Sequence, residues 1–244
     1  REKGYPILKE TAMFWASRVE RNGPGKYEIK NVVASDEWAE NIDNDAFTNA
    51  AAKAVLQHAT EAASLLGIKP DADWMNVANN IPVLKLDNGV TREHGSYNGE
   101  GIKQADVNLL AYPLKEITDT RQIRKDLEYY ETRVPNEGTP AMTQAVFTVL
   151  YARLGDGAKA YHFFQDAYLP NLNPPLRVIA ETKGGTNPYF ATGAGGILQS
   201  ILMGFGGLEI TSKGIVQIKT ALPPNWKSIT LTGIGVDKKT FINK

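Results

Sequence analysis

Two acidic stretches of this sequence carry the residue types that acid–base chemistry needs. The run Ser35-Asp36-Glu37-Trp38-Ala39-Glu40-Asn41 sets three carboxylates beside an indole, just before a long helical pattern. A Glu packed near Trp loses hydration, which favours its protonated form and suits it to donate a proton. The same residues also make an ordinary acidic flank that complements a helix dipole, and spacing alone favours that plainer reading. Glu181 lies in Ile179-Ala180-Glu181-Thr182-Lys183-Gly184-Gly185-Thr186-Asn187. A solvated Glu among glycines and small polar residues stays ionised and could activate water. From spacing alone a surface turn is the favoured reading. A third stretch, Lys103-Gln104-Ala105-Asp106, enters an apolar run. Adjacent Lys and Gln can hydrogen-bond adjacent sugar hydroxyls, or can solvate a helix start.

Other chemistries have little to stand on. Cys is absent, which excludes disulfides, zinc-thiolate sites and Cys nucleophiles. His58, His94 and His162 show neither i,i+4 spacing nor an HExxH pattern, so no metal site is expected. His58 falls mid-helix and reads as structural; His94 falls in a loop, where substrate contact stays open. There is no GxSxG elbow and no Walker loop. Gly193-Ala194-Gly195-Gly196 opens a helix, and tight packing explains it better than a phosphate cradle. Lys+Arg and Asp+Glu both number 27, so nothing in the charge points to nucleic acid or an anionic membrane. The longest apolar run, Ile197 to Phe205, falls short of the roughly 18 residues of a membrane span.

The elements that must position these residues are mainly helical. Leu8, Ala12, Trp15 and Val19 mark one amphipathic face. A long helix is expected from Asp45 to Leu66, with Phe47, Ala51, Val55, Ala59, Ala62 and Leu66 as its stripe and Gly67 as its stop. Further helices are expected after Pro70, and over Gly101 to Ala111, Asp119 to Glu131, Pro140 to Leu154, Asp156 to Tyr168 and Gly193 to Gly204. Long polar loops lie between them at 22–40, 82–100 and 170–192, a length usually reserved for function. After Gly206-Gly207 the pattern turns to short β-rich runs at 208–210, 215–218, 229–232 and 240–242. The expected division is therefore 1–206 and 207–244. The first residue is Arg1, so the chain is expected to start within a longer reading frame or after a cleavage.

Taken in order, several segments resemble glycoside hydrolase family 65. Asp36-Glu37-Trp38-Ala39-Glu40-Asn41-Ile42-Asp43-Asn44-Asp45-Ala46-Phe47-Thr48-Asn49 is similar to the family's D-E-Y-x-E-N-x-D-N-x-A-[YF]-T-N signature, and Lys103-Gln104-Ala105-Asp106-Val107 to its K-Q-A-D-V motif. Leu154-Gly155-Asp156-Gly157-Ala158-Lys159-Ala160-Tyr161 resembles a following helical pair. Thr192-Gly193-Ala194-Gly195-Gly196-Ile197-Leu198-Gln199-Ser200 resembles the hydrolase branch's T-G-x-G-G-x-L-Q-S. Within the family, the Pro140-Ala141-Met142-Thr143 and Gly184-Gly185-Thr186-Asn187-Pro188 segments are similar to its kojibiose (α-1,2) glucosidases and acid trehalases.

The resemblance implies a mainly α fold: the second half of an (α/α)6 barrel over 1–206, followed over 207–244 by strands of a β-sandwich domain. It implies an inverting α-glucosidase with Glu37 as general acid and Glu181 as general base. Lys103 and Gln104 would contact glucose in the −1 subsite. Trp38 replaces the family's usual Tyr and keeps an aromatic wall. No cofactor and no metal are implied, and the partner is a small glucose-terminated oligosaccharide. The family's phosphorolytic members bind phosphate through a His-bearing loop; Glu181 in the corresponding loop points to hydrolysis. Half a barrel is expected to be inactive alone, with the remainder of the same polypeptide or a companion chain completing it. A glucoside-degrading role suits a periplasmic or secreted enzyme.

Overall fold

The computed structural model describes residues 2–135 and 138–244. The chain forms two compact units, one of residues 1–100 and 109–118, the other of 101–108 and 119–244.

In the first unit, α1 (Gly4–Arg18), α2 (Ala46–Leu65) and α3 (Ala72–Asn80) pack around Ala12, Ile29, Leu56, Trp74 and Val77. A short antiparallel pair, β1 (Glu20–Arg21) with β2 (Tyr27–Glu28), links α1 to the loop that follows. The α2 helix starts where Asp45 accepts the Thr48 amide at 2.7 Å, satisfying a first-turn donor that the helix itself cannot pair. Its buried face is Asn49, Ala52, Leu56, Ala59 and Ala63, turned by about one residue from the stripe expected at Phe47, Ala51 and Val55. The polar Asn49 explains the rotation. Its side-chain amide is fully buried and donates to the Pro82 carbonyl at 2.9 Å, a contact that no apolar pattern reports.

The second unit is built around α5 (Ala141–Arg153), which is buried over most of its length. Helices α4 (Thr120–Tyr130), α6 (Gly157–Asp166) and α7 (Ala191–Gln199) belong to the same unit. Asp119 and Asp156 cap α4 and α6 through their side chains. The α7 helix runs on into a π-helical turn over Ser200–Phe205. Its small residues meet α5 closely. A Cβ added at Gly196 would sit 2.8 Å from the Ala145 Cβ, and one at Gly204 would sit 3.3 Å from the Val149 Cα. The glycine-rich run after Thr192 therefore lets two helices approach, as the packing reading expects.

The strands form separate antiparallel pairs: β3 (Leu172–Asn173) with β4 (Val178–Ile179), β5 (Leu208–Thr211) with β6 (Gly214–Gln217), and β7 (Ile229–Ile234) with β8 (Lys239–Asn243). The last strand is tied to the helices by Asn243, whose amide donates to the carbonyls of Phe205 (2.8 Å) and Thr220 (3.1 Å).

One expected helix does not form. Over 101–111 only a 3₁₀ turn, Val107–Leu110, is helical. The Ile102 amide instead donates to the Arg133 carbonyl at 3.1 Å, and the Lys103 carbonyl accepts the Thr143 hydroxyl at 2.9 Å. Long-range partners thus replace the i→i−4 ladder.

Candidate functional site

In the first unit, residues 32–42 fold back on themselves. Val32 and Ile42 exchange backbone hydrogen bonds (3.0 and 3.1 Å), and Ala34 donates to the Ala39 carbonyl at 3.0 Å. The turn between them is organised by Asp36, which is buried and accepts the Trp38 amide on its side chain at 3.1 Å. Glu37 and Trp38 are both exposed at its tip, Trp38 by 53%.

The rest of the acidic signature is scaffolding. Asn44 accepts the Ile29 amide at 3.3 Å, and Asp43 accepts the Asn31 amide at 2.9 Å. The Asp43 carbonyl also accepts the Gly95 amide at 2.8 Å. A Cβ at Gly95 would stand 3.1 Å from that carbonyl, so the close approach suits glycine. Beside this loop His94 is held below its ordinary pKa of 6.5, chiefly by burial, against the opposing pull of Asp45, Glu100 and Asp36. Its Nδ1 lies 3.1 Å from the Ser96 hydroxyl, and its ring meets Tyr97 edge-on.

The second unit brings Lys103 and Glu181 together. Lys103 Nζ stands 3.6 Å from Glu181 Oε1, with both side chains largely covered (20% and 31% exposed). Both backbones hang from the first turn of α5. That helix begins after Pro140, which offers no side-chain cap, and the Ala141 amide donates instead to the Glu181 carbonyl at 2.9 Å. Two residues on, the buried Thr143 donates its hydroxyl to the Lys103 carbonyl. Asn171, also buried, adds a second donor to the Glu181 carbonyl at 2.9 Å and another to Ala180 at 3.1 Å. Asn187 grips Glu181 twice: its Oδ1 accepts the Glu181 amide at 3.3 Å, and its Nδ2 donates to Oε2 at 3.2 Å. Gln104, next to Lys103, is buried. A carboxylate with a cation on one oxygen and an amide on the other suits a fixed proton acceptor.

Sequence reasoning names Lys103 and Glu181 but not the groups that hold them. Thr143, Asn171 and Asn187 are small polar residues without a spacing signal, and only the fold makes them neighbours. Two further residues in the Glu181 loop carry unusual backbone. Gly184 sits at φ +67°, and Tyr189, 73% exposed, at φ +65°, a conformation that disfavours a bulky side chain.

A cavity of about 610 Å³ lies in the same unit, lined by Glu131, Gln144, Lys159, His162 and Asp166 among others, and by Ala141 and Asn171, which hold the Glu181 carbonyl. Glu131 there takes the Lys159 ammonium at 2.7 Å and the Tyr151 hydroxyl. Burial and Glu131 together push the Tyr151 hydroxyl well above its ordinary pKa. Neither Glu181 nor Lys103 lines this cavity. Among the described residues no group of three or more His, Asp or Glu could hold a metal ion. Nor is any described helix long and apolar enough to cross a membrane.

The central catalytic domain of glycosyl hydrolase family 65 matches residues 1–97 and 90–177. The chain belongs to glycosyl hydrolase family 65. It is 73% identical over its whole length to a kojibiose hydrolase of Mucilaginibacter mallensis, and 63% identical over 99% of its length to one of Flavobacterium johnsoniae. It spans 36% of each of those relatives. A periplasmic or secreted acid trehalase of Candida glabrata is 38% identical over 84% of this chain, which spans 18% of that protein. Among solved structures, one assigned as a kojibiose phosphorylase from the human microbiome superposes with a TM-score of 0.76 at 18% identity, covering 94% of this chain and 37% of that one. In keeping with this family, the helices are part of an (α/α)6 barrel.

Proposed function

We propose that this chain supplies the acid, the base and glucose-binding residues of an inverting hydrolase of α-glucosidic disaccharides, with kojibiose (α-1,2) favoured and trehalose next. One observation carries the reading: Glu181 is paired with Lys103 and braced by α5, in a chain 73% identical to a kojibiose hydrolase. In this reading Glu37 donates a proton to the glycosidic oxygen as the bond to C1 breaks. Water attacks the opposite face of C1 and gives its proton to Glu181. The anomeric centre inverts, which needs roughly 6.5–9.5 Å between the two carboxyl groups. Lys103 and Gln104 bind the glucose of the −1 subsite, and Trp38 forms an aromatic wall beside it.

Residues 1–206 make up the second half of the catalytic barrel and 207–244 the start of a C-terminal β domain. The remainder of the same polypeptide, or a companion chain, completes the pocket. Ile7 and Phe14 on α1, and Leu198 on α7, are exposed apolar side chains that such a remainder would cover. Glu37 is exposed in its own unit, so its desolvation falls to that remainder too. A periplasmic or secreted location suits a glucoside-degrading enzyme and agrees with the name of the Candida glabrata relative.

Assaying the complete polypeptide on kojibiose with and without inorganic phosphate tests the reading. Two molecules of glucose, released at a rate indifferent to phosphate, are expected. Strict phosphate dependence with glucose 1-phosphate as product would make it a phosphorylase instead.

A further inference from the structure

We infer that Asn187 is a positioning residue for the reaction, fixing the plane of the Glu181 carboxylate; this rests on Glu181 being the base. The last torsion of a Glu side chain is soft, so a carboxylate held at one point still swings. Asn187 holds Glu181 at two points, accepting from its amide and donating to Oε2, and so ties the carboxylate to its own backbone. Lys103 takes the other oxygen. Of the roughly four lone-pair positions on a carboxylate, Asn187 takes one, while Lys103 stands as a charge beside the other oxygen.

The loop is shaped to bring this amide back. Gly185 donates to the Thr182 carbonyl at 2.9 Å, and a Cβ there would lie 2.9 Å from that oxygen and 3.2 Å from Asn187 Oδ1. Asn173 anchors the Gly185 carbonyl at 2.9 Å, and the Gly184 amide donates to Pro170 at 3.2 Å. On the far side the Phe190 amide donates to Ile179 at 2.9 Å, pinning the residue that follows Tyr189. Asn187 is therefore held from both sides while its amide faces Glu181.

Asn187→Ala and Asn187→Asp in the complete polypeptide test this, with Glu181→Ala as reference. The Asp variant keeps an acceptor for the Glu181 amide, replaces the donor to the carboxylate by an acceptor and sets a like charge beside it, whereas the Ala variant removes both contacts without adding charge. Both variants are expected to melt with the parent, lose ~10–100-fold in kcat and keep KM near its parent value, since a misplaced group costs up to ~10²-fold. Azide is expected to revive Glu181→Ala by attacking C1 directly to give the β-glucosyl azide, and to leave both Asn187 variants unchanged. Full kcat in Asn187→Asp, or a kcat loss in both variants that merely follows lost folded protein, would overturn the role of Asn187 while leaving Glu181 as base. Full activity in Glu181→Ala would instead overturn the reading on which it rests.

Discussion

The two acidic loops solve different problems. The loop of the first unit spends its polar residues on its own backbone: Asp36 closes the turn, Asp43 and Asn44 brace the strand-like arms, and Asp45 caps α2. Glu37 is left exposed at the tip. The loop of the second unit turns its polar residues on one side chain, Glu181. Glu181 has its carbonyl on Ala141 and Asn171, its amide on Asn187, and its carboxylate between Lys103 and Asn187. Glu181, the proposed proton acceptor, thus has these partners within one unit. Glu37, the proposed proton donor, would take its environment from whatever covers it.

That contrast can be broken or sharpened by experiment. Removing either carboxylate has the largest expected effect. Glu37→Gln and Glu181→Gln should each lose ~10²–10⁴-fold in kcat, the usual contribution of a general acid or base. Equal and small losses would erase the distinction between the loops. Next comes the tether of Lys103. Thr143→Val keeps the shape and removes the hydroxyl that holds the Lys103 carbonyl, a loss of about 1 kcal/mol. If that loss falls on glucose binding, KM for the disaccharide rises about 5-fold. An unchanged KM would detach Thr143 from the site.

The smallest effect belongs to the first unit and is one of stability. His94 has a folded pKa below its ordinary 6.5, mainly through burial, so the folded unit favours the neutral ring. Its contribution is complete above about pH 6.5 and is lost as pH falls from there towards the folded pKa, because the unfolded chain binds the proton more readily. Melting temperature should fall over that acid range, and His94→Gln should flatten the slope. An identical slope in the variant would show that other groups set it.

Much of the framework was legible in residue patterns. Asp45, Asp119 and Asp156 announced three helix starts, and each caps its helix through a side-chain hydrogen bond. The small-residue face of α7 announced close helix packing, and the Gly196–Ala145 approach shows it. What spacing could not supply were contacts between distant residues. The 101–111 segment is expected as a helix, yet Arg133 and Thr143 claim its backbone. The acidic signature looked like a cluster of chemical groups, whereas Asp36, Asn44, Asp45 and Asn49 within it are buried supports. The bracing of Glu181 and Lys103 links residues far apart in the chain, 40 positions in the case of Thr143 with Lys103, and no local pattern encodes such a link.

The proposed division of labour between the two carboxylates is tested most directly with α-glucosyl fluoride, whose leaving group departs without protonation. The complete polypeptide carrying Glu37→Gln should hydrolyse it at close to the parent rate while remaining defective on kojibiose. The Glu181→Gln counterpart should stay defective on both. Recovery of Glu181→Gln, or persistent failure of Glu37→Gln on the fluoride, would contradict the assignment of acid and base.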